Sequence, residues 1–218
     1  MNHKFWQIAC WTVAVIALFA SVLTFASVIQ PAQTTLPASV CKVEIMNTTD
    51  HEMLTYVRKT VAKALQDGCG ALDVEIFSPG GPVATSVEIS QTLRRARDVG
   101  LIVITHGRSF VASGATIVLS AGTPGYRSIS KNSLVLVHGI QVASEPFGSS
   151  MYCIDSKVGP QGEADKLTNH AILQVATEYA INTGKSLSET FSWLRCDNSQ
   201  VGDGNLAIRL GLADFLSD

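Results

Sequence analysis

The sequence predicts an α/β domain built around a largely parallel sheet. Three observations predict it. Strand-like and helix-like segments alternate along the chain. The helical segments end at glycines, namely Gly68, Gly100, Gly122 and Gly184. The residues with catalytic potential fall just past strand-like runs, and ligands of parallel sheets bind at the carboxyl ends of strands.

The elements follow in order. Lys4 precedes an uncharged apolar run from Ile8 to Ile29. That is long enough to span a bilayer as a helix, so residues 1–30 are expected to be a transmembrane anchor or a signal peptide. The basic residue on the short side puts the remaining chain on the extracytoplasmic side of the inner membrane, or in the periplasm if the segment is cleaved. Residues 31–40 have the composition of a linker, and 41–218 form one domain. Within it, Cys41–Met46 alternates apolar and polar residues as a strand does. Met53, Leu54, Val57, Val61 and Leu65 recur at helical spacing, with Thr49 or Asp50 as the N-cap. Ala71–Phe77 is a second strand and Val83–Val99 a second helix. Leu101–Thr105 is a buried strand, Ser113–Ala121 a small-residue helix and Ser133–His138 another strand. A long helix covers 163–183 and a short one 188–194. Val142–Gly162, with Pro146, Gly148, Gly159 and Pro160, is expected to be irregular.

Composition narrows the function. The 218 residues carry a net charge of −2, with 46% hydrophobic and 16% charged residues. No basic excess or basic-aromatic stripe points to nucleic acid. No CxxC or HxxxH spacing suggests a metal, and no cofactor is implied. Cys10 lies in the apolar run. Cys41, Cys69, Cys153 and Cys196 remain, an even number that suggests two disulfides in an exported domain, with three connectivities open.

Three features converge on one sheet edge. Ser113, in Val111-Ala112-Ser113-Gly114-Ala115, starts a helix. A serine there is often only a cap, yet the helix dipole and free N–H groups also suit a nucleophile with a developing oxyanion. Ser78-Pro79-Gly80-Gly81 is a strand-ending turn that can aim an N–H at the same carbonyl. His138 follows Leu134–Val137 and is a candidate general base. A base needs an orienting group, and Asp155, Asp165, Asp197 and Asp203 compete for that role.

These residues also carry a resemblance. Phe77-Ser78-Pro79-Gly80-Gly81, Ala112-Ser113-Gly114-Ala115, Leu119-Ser120-Ala121-Gly122 and Asn132 to His138 resemble the proteolytic subunit of the Clp protease, within the wider Clp/crotonase fold of repeated ββα/βαβ units. The separation 138 − 113 = 25 equals that family's nucleophile-to-base spacing. Thr183-Gly184-Lys185-Ser186-Leu187 and Gly211-Leu212-Ala213-Asp214 extend the likeness, and an ungapped count places the family's catalytic aspartate on Asp197. The resemblance implies a serine peptidase with Ser113 as nucleophile, His138 as base and Asp197 as orienter. Gly81 and Gly114 would supply the oxyanion hole, peptide or unfolded protein would be the substrate, and copies of the chain would form a ring.

Two departures qualify it. Ser113 is followed directly by glycine, which is closer to signal peptide peptidase A, a membrane-bound relative with a Ser-Lys dyad; Lys131 would then be the base. The segment after His138 is longer than in the Clp subunit. A Cys153–Cys196 disulfide would pin it beside Asp197, leaving Cys41–Cys69 to link the first strand to the following helix. Export would also separate the enzyme from ATP and an unfolding ATPase. A coenzyme A-binding crotonase relative and an inactive scaffold are the competing readings.

Overall fold

A computed structural model of the chain describes residues 37–143, 151–155 and 163–218. The apolar segment 8–29, most of the linker and much of the excursion after Ala143 lie outside the described residues. Among the described residues, no helix is long and apolar enough to cross a membrane.

The elements run β1 (Val40–Ile45), α1 (His51–Gln66), β2 (Ala71–Ser78), α2 (Val83–Asp98), β3 (Ile102–Ala112), α3 (Gly114–Ser120), β4 (Arg127–Ser130), β5 (Leu134–Val137), β6 (Gln141–Ala143), β7 (Met151–Cys153), α4 (Glu163–Thr183), α5 (Leu187–Ser192), β8 (Gln200–Gly202), α6 (Gly204–Leu210) and β9 (Phe215–Ser217). The main sheet has the order β1-β2-β3-β4-β9, all parallel. β5 adds to β3 in parallel, and β8 pairs with β5 antiparallel. The expected α/β architecture with a mainly parallel sheet is therefore present.

The core follows the sequence periodicities. Leu72, Val74 and Ile76 alternate inward from β2. Leu54, Val57 and Val61 form the buried stripe of α1. Asp50 caps α1 by accepting a bond from the Met53 N–H at 3.0 Å. All residues of α3 are buried, which explains why that helix has no polar face.

β3 differs from the short strand expected at 101–105. Its first half pairs with β4 and its second half with β5. Against β2 the register moves from Ile76↔Gly107 to Ser78↔Val111, so Arg108, Ser109 and Phe110 of β3 lie opposite Phe77 alone. This bulge, with Ser109 at φ 53°, redirects the chain so that it ends at Ala112 beside Leu136. The excursion after His138 is not wholly irregular either. β6 and β7 form an antiparallel hairpin, with Gln141 opposite Cys153.

Both disulfides form with the expected pairing. Cys41–Cys69 and Cys153–Cys196 have Cα separations of 6.0 and 5.6 Å.

Candidate active site

The strand end of β3 and the start of α3 produce the central feature. Ser113 occupies the N-cap position at φ 53°, ψ −128°, where non-glycine residues are rare, and its side chain makes no capping bond. It is therefore not the simple cap that a serine at a helix start usually is. The turn is held in place by bonds on both sides. The Ser113 N–H donates to the Leu136 carbonyl at 2.7 Å, tying the elbow to β5. The Thr116 hydroxyl donates to the Ser113 carbonyl at 2.6 Å and contacts the Tyr179 hydroxyl at 2.6 Å. Burial of Tyr179 raises its phenol well above the ordinary range, so it stays neutral, and the strained turn rests on an uncharged buried chain.

The Ser78–Gly81 turn packs directly against this elbow. Gly80 has φ 91°, and a Cβ there would lie 2.6 Å from the Gly114 nitrogen and 2.8 Å from the Ser113 Cβ. The Gly80 N–H is taken by Ser78 Oγ at 3.1 Å and its carbonyl accepts from the Thr49 N–H at 2.9 Å. Gly81 and Gly114 line the pocket beside Ser113.

A pocket of about 490 Å³ opens at this point, lined by Gly81, Ser113, Gly114, His138 and Gly139 on its polar side. Its other wall is apolar: Val83, Ile117, Ile140, Val175, Tyr179 and Leu194. Ser113, His138, Gly81 and Gly114 are thus brought together from three separate strand ends. No hydrogen bond joins Ser113 Oγ to His138 in this conformation; such bonds are often long before substrate is seated.

Asp197 is placed differently from expectation. Its carboxylate accepts from Arg195 Nε at 3.0 Å and from Arg195 Nη2 at 2.9 Å, and it is exposed. That bidentate bond holds Asp197 below the usual carboxylate range and raises Arg195. No hydrogen bond or ion pair joins Asp197 to His138. The Nδ1 of His138 bonds instead to the Gly139 carbonyl at 2.6 Å. The physical reason is local: a guanidinium two residues away satisfies both carboxylate oxygens at once. Asp155 accepts the Cys196 N–H at 2.8 Å, and Asp203 caps α6 through the Asn205 N–H at 3.0 Å, so neither takes the orienting role. Lys131 does not line the pocket. It sits exposed in the β4–β5 turn, where its N–H donates to the Ser217 carbonyl and its carbonyl accepts from Gly204.

Residues beneath the rim had no clear sequence signal. Thr49 and Ser86 are buried and share a hydroxyl bond of 2.6 Å, and Ser86 also donates to the Pro82 carbonyl at 2.9 Å. Thr49 is one of the two expected N-caps of α1, and Ser86 falls inside the expected helix 83–99. Only the fold places them against Gly81 and Gly114: a Cβ on Gly81 would lie 2.8 Å from Thr49 Oγ1, and one on Gly114 2.1 Å from Ser86 Oγ.

An α/β domain that presents a strained serine at a strand-to-helix turn, with a histidine and two backbone donors around one pocket, has the parts of a serine hydrolase. The Clp protease family model matches residues 43–214. The chain belongs to the Clp protease family, and it is a serine peptidase. Its fold is similar to that in a crystal structure of a peptidase from Plasmodium falciparum, with a TM-score of 0.62 at 13% identity, covering 81% of this chain and 95% of that one.

Proposed function

We propose that this chain is an extracytoplasmic serine endopeptidase that works without ATP on peptides or unfolded segments, through Ser113 and His138. The observation that carries this reading is the Ser113 turn, at φ 53° and opening onto the same pocket as His138. The apolar run at residues 8–29 and the two disulfides support action outside the cytoplasm. A membrane tether through that run, and a ring of copies like those of other Clp proteases, complete the proposal.

The chemistry follows from the groups around the pocket. Ser113 Oγ attacks the scissile carbonyl carbon while its proton passes to His138 Nε2. The carbonyl oxygen becomes an oxyanion bound by the Gly81 and Gly114 N–H groups. Each such donor is worth about 10²–10³ in rate. The C–N bond then breaks and His138 returns the proton to the leaving amine. Water, deprotonated by the same imidazole, attacks the acyl-enzyme, and Ser113 is released with its proton restored. The apolar wall of Ile117, Val175 and Leu194 suits a substrate with an apolar side chain beside the cleaved bond.

The test is fluorophosphonate labelling of the folded, oligomeric protein, with Ser113→Ala and His138→Ala as controls. Labelling lost in both variants is expected. Labelling that persists in Ser113→Ala, or is absent from the wild type, rejects the reading.

A further inference from the structure

We infer that the Cys153–Cys196 disulfide is a redox switch on the peptidase: the pocket holds its working shape while the bridge is formed and loses it when the bridge is reduced. The inference rests on the serine peptidase reading above and adds its regulation. Two parts of the pocket wall lie on segments that the bridge joins. Ile140 and Gln141, at the start of β6, form one part, and Leu194 forms the other. The bridge ties Cys153 of β7, which pairs with Gln141, to Cys196, two residues past Leu194. His138 leads through Gly139 and Ile140 into β6, and Asp197 directly follows Cys196. The bridge therefore also sets the spacing between the segment that carries the base and the one that carries its expected orienter.

The hairpin depends on such a tie. β6 and β7 form a two-stranded sheet of their own, separate from the main sheet. A lone two-stranded hairpin is marginally stable in water. Beside the bridge, the Cys196 N–H donates to Asp155 at 2.8 Å, but Asp155 is exposed and water can replace that bond. Gly139 is buried between the two halves: a Cβ on it would lie 2.6 Å from Cys153 Sγ and 2.6 Å from the Leu194 carbonyl oxygen. Separating the halves frees Gly139 and with it the pocket rim next to His138. Cys153 and Cys196 are thus positioning residues.

Both cysteines are only part-buried, so a small thiol reaches the bridge. Its thiolate attacks one bridge sulfur, the Cys153–Cys196 bond breaks, and the released cysteine takes a proton. A second thiolate then cleaves the mixed disulfide. Two small thiols are oxidised to one small disulfide, and the bridge is reduced to two thiols. The reverse exchange, with an external disulfide as oxidant, closes the switch. A chain in a reducing compartment is held inactive, and an oxidising one turns it on. Neither Cys41 nor Cys69 lines the pocket, so the other bridge serves as an internal control.

The test equilibrates full-length protein in glutathione buffers of graded thiol-to-disulfide ratio. Differential alkylation with peptide mapping reports each bridge. Fluorophosphonate labelling and peptide turnover report the site, and amide hydrogen exchange reports local opening. As Cys153–Cys196 is reduced, kcat/KM is expected to fall about 10²-fold, since displacing catalytic groups by about 1 Å costs that much. It should return on reoxidation. Exchange at 139–143 and 194–197 should quicken while the main sheet keeps its protection. Cys153→Ala/Cys196→Ala should show the low rate in every buffer, and Cys41→Ala/Cys69→Ala should keep the full redox response. Turnover unchanged across the reduction of Cys153–Cys196 would overturn the inference. So would a loss that follows the Cys41–Cys69 bridge, or reduction that unfolds the main sheet. If the oxidised protein shows no Ser113-dependent labelling while local exchange still follows the bridge, the peptidase reading falls and the latch stands.

Discussion

Ser86 Oγ occupies the space where a side chain on Gly114 would begin: a Cβ built there would lie 2.1 Å from it. The glycine after the proposed nucleophile is therefore a packing requirement as well as a proposed oxyanion donor. Gly114→Ala should cost about 1–3 kcal/mol by overpacking and lower kcat/KM about 10²-fold by displacing the oxyanion donor. Pairing it with Ser86→Ala should restore part of both. Chemical denaturation and peptide turnover measure the two effects, and a double variant no better than the single one would count against the packing account.

The nucleophile and the stability of its turn should separate. Ser113 sits at φ 53°, a region that costs a non-glycine residue about 1–3 kcal/mol. Ser113→Gly should abolish labelling and yet raise the melting temperature, whereas Ser113→Ala should abolish labelling without that gain. Thermal unfolding of the three proteins side by side gives the comparison.

Acid stability should depend on Asp214. Burial raises its carboxyl, but bonds from the Arg127 side chain and from the Arg127 and Gly125 N–H groups outweigh this and hold it below its ordinary value of 3.8. A carboxyl lowered in the folded state stabilises the fold above its unfolded pKa. That stability is lost as pH falls through the folded value. Asp214→Asn leaves the buried Arg127 without its counter-charge and should cost about 3–5 kcal/mol near neutral pH. The variant should also show a shallower loss of stability between about pH 5 and pH 2. Denaturant melts across that range test both statements.

The Cys41–Cys69 disulfide should act on stability rather than on turnover. Cys41–Cys69 closes a 28-residue separation between β1 and the end of α1, and neither cysteine lines the pocket. Cys41→Ala/Cys69→Ala should lower stability by about 2–4 kcal/mol with kcat kept at temperatures where the protein remains folded. A fall in kcat at temperatures where the variant remains folded would show that this bridge acts on the site as well as on stability.

Much of the fold was legible because its signals are local. α1 has helical periodicity, α1, α2 and α4 end at glycines, and β1 and β2 alternate. β4, β8 and β9 were not foreseen, since strands of three or four residues carry too few side chains for a period. α6 was missed for the same reason, at seven residues. The extension of β3 to Ala112 was hidden by the Arg108–Ser109 bulge, which interrupts alternation without ending the strand.

The sequence by itself determined that Ser113, His138, Gly81 and Gly114 would meet, because each follows a strand of one parallel sheet and such strands end on the same edge. Spacing along the chain was enough for that. The partner of His138 was decided only by tertiary structure. An ungapped count reaches Asp197, but a count carries no information on where a side chain finds its best electrostatic partner. In the fold both Asp197 oxygens accept from Arg195, and His138 Nδ1 bonds to the Gly139 carbonyl. The geometry around the base thus depends on contacts that no local pattern encodes.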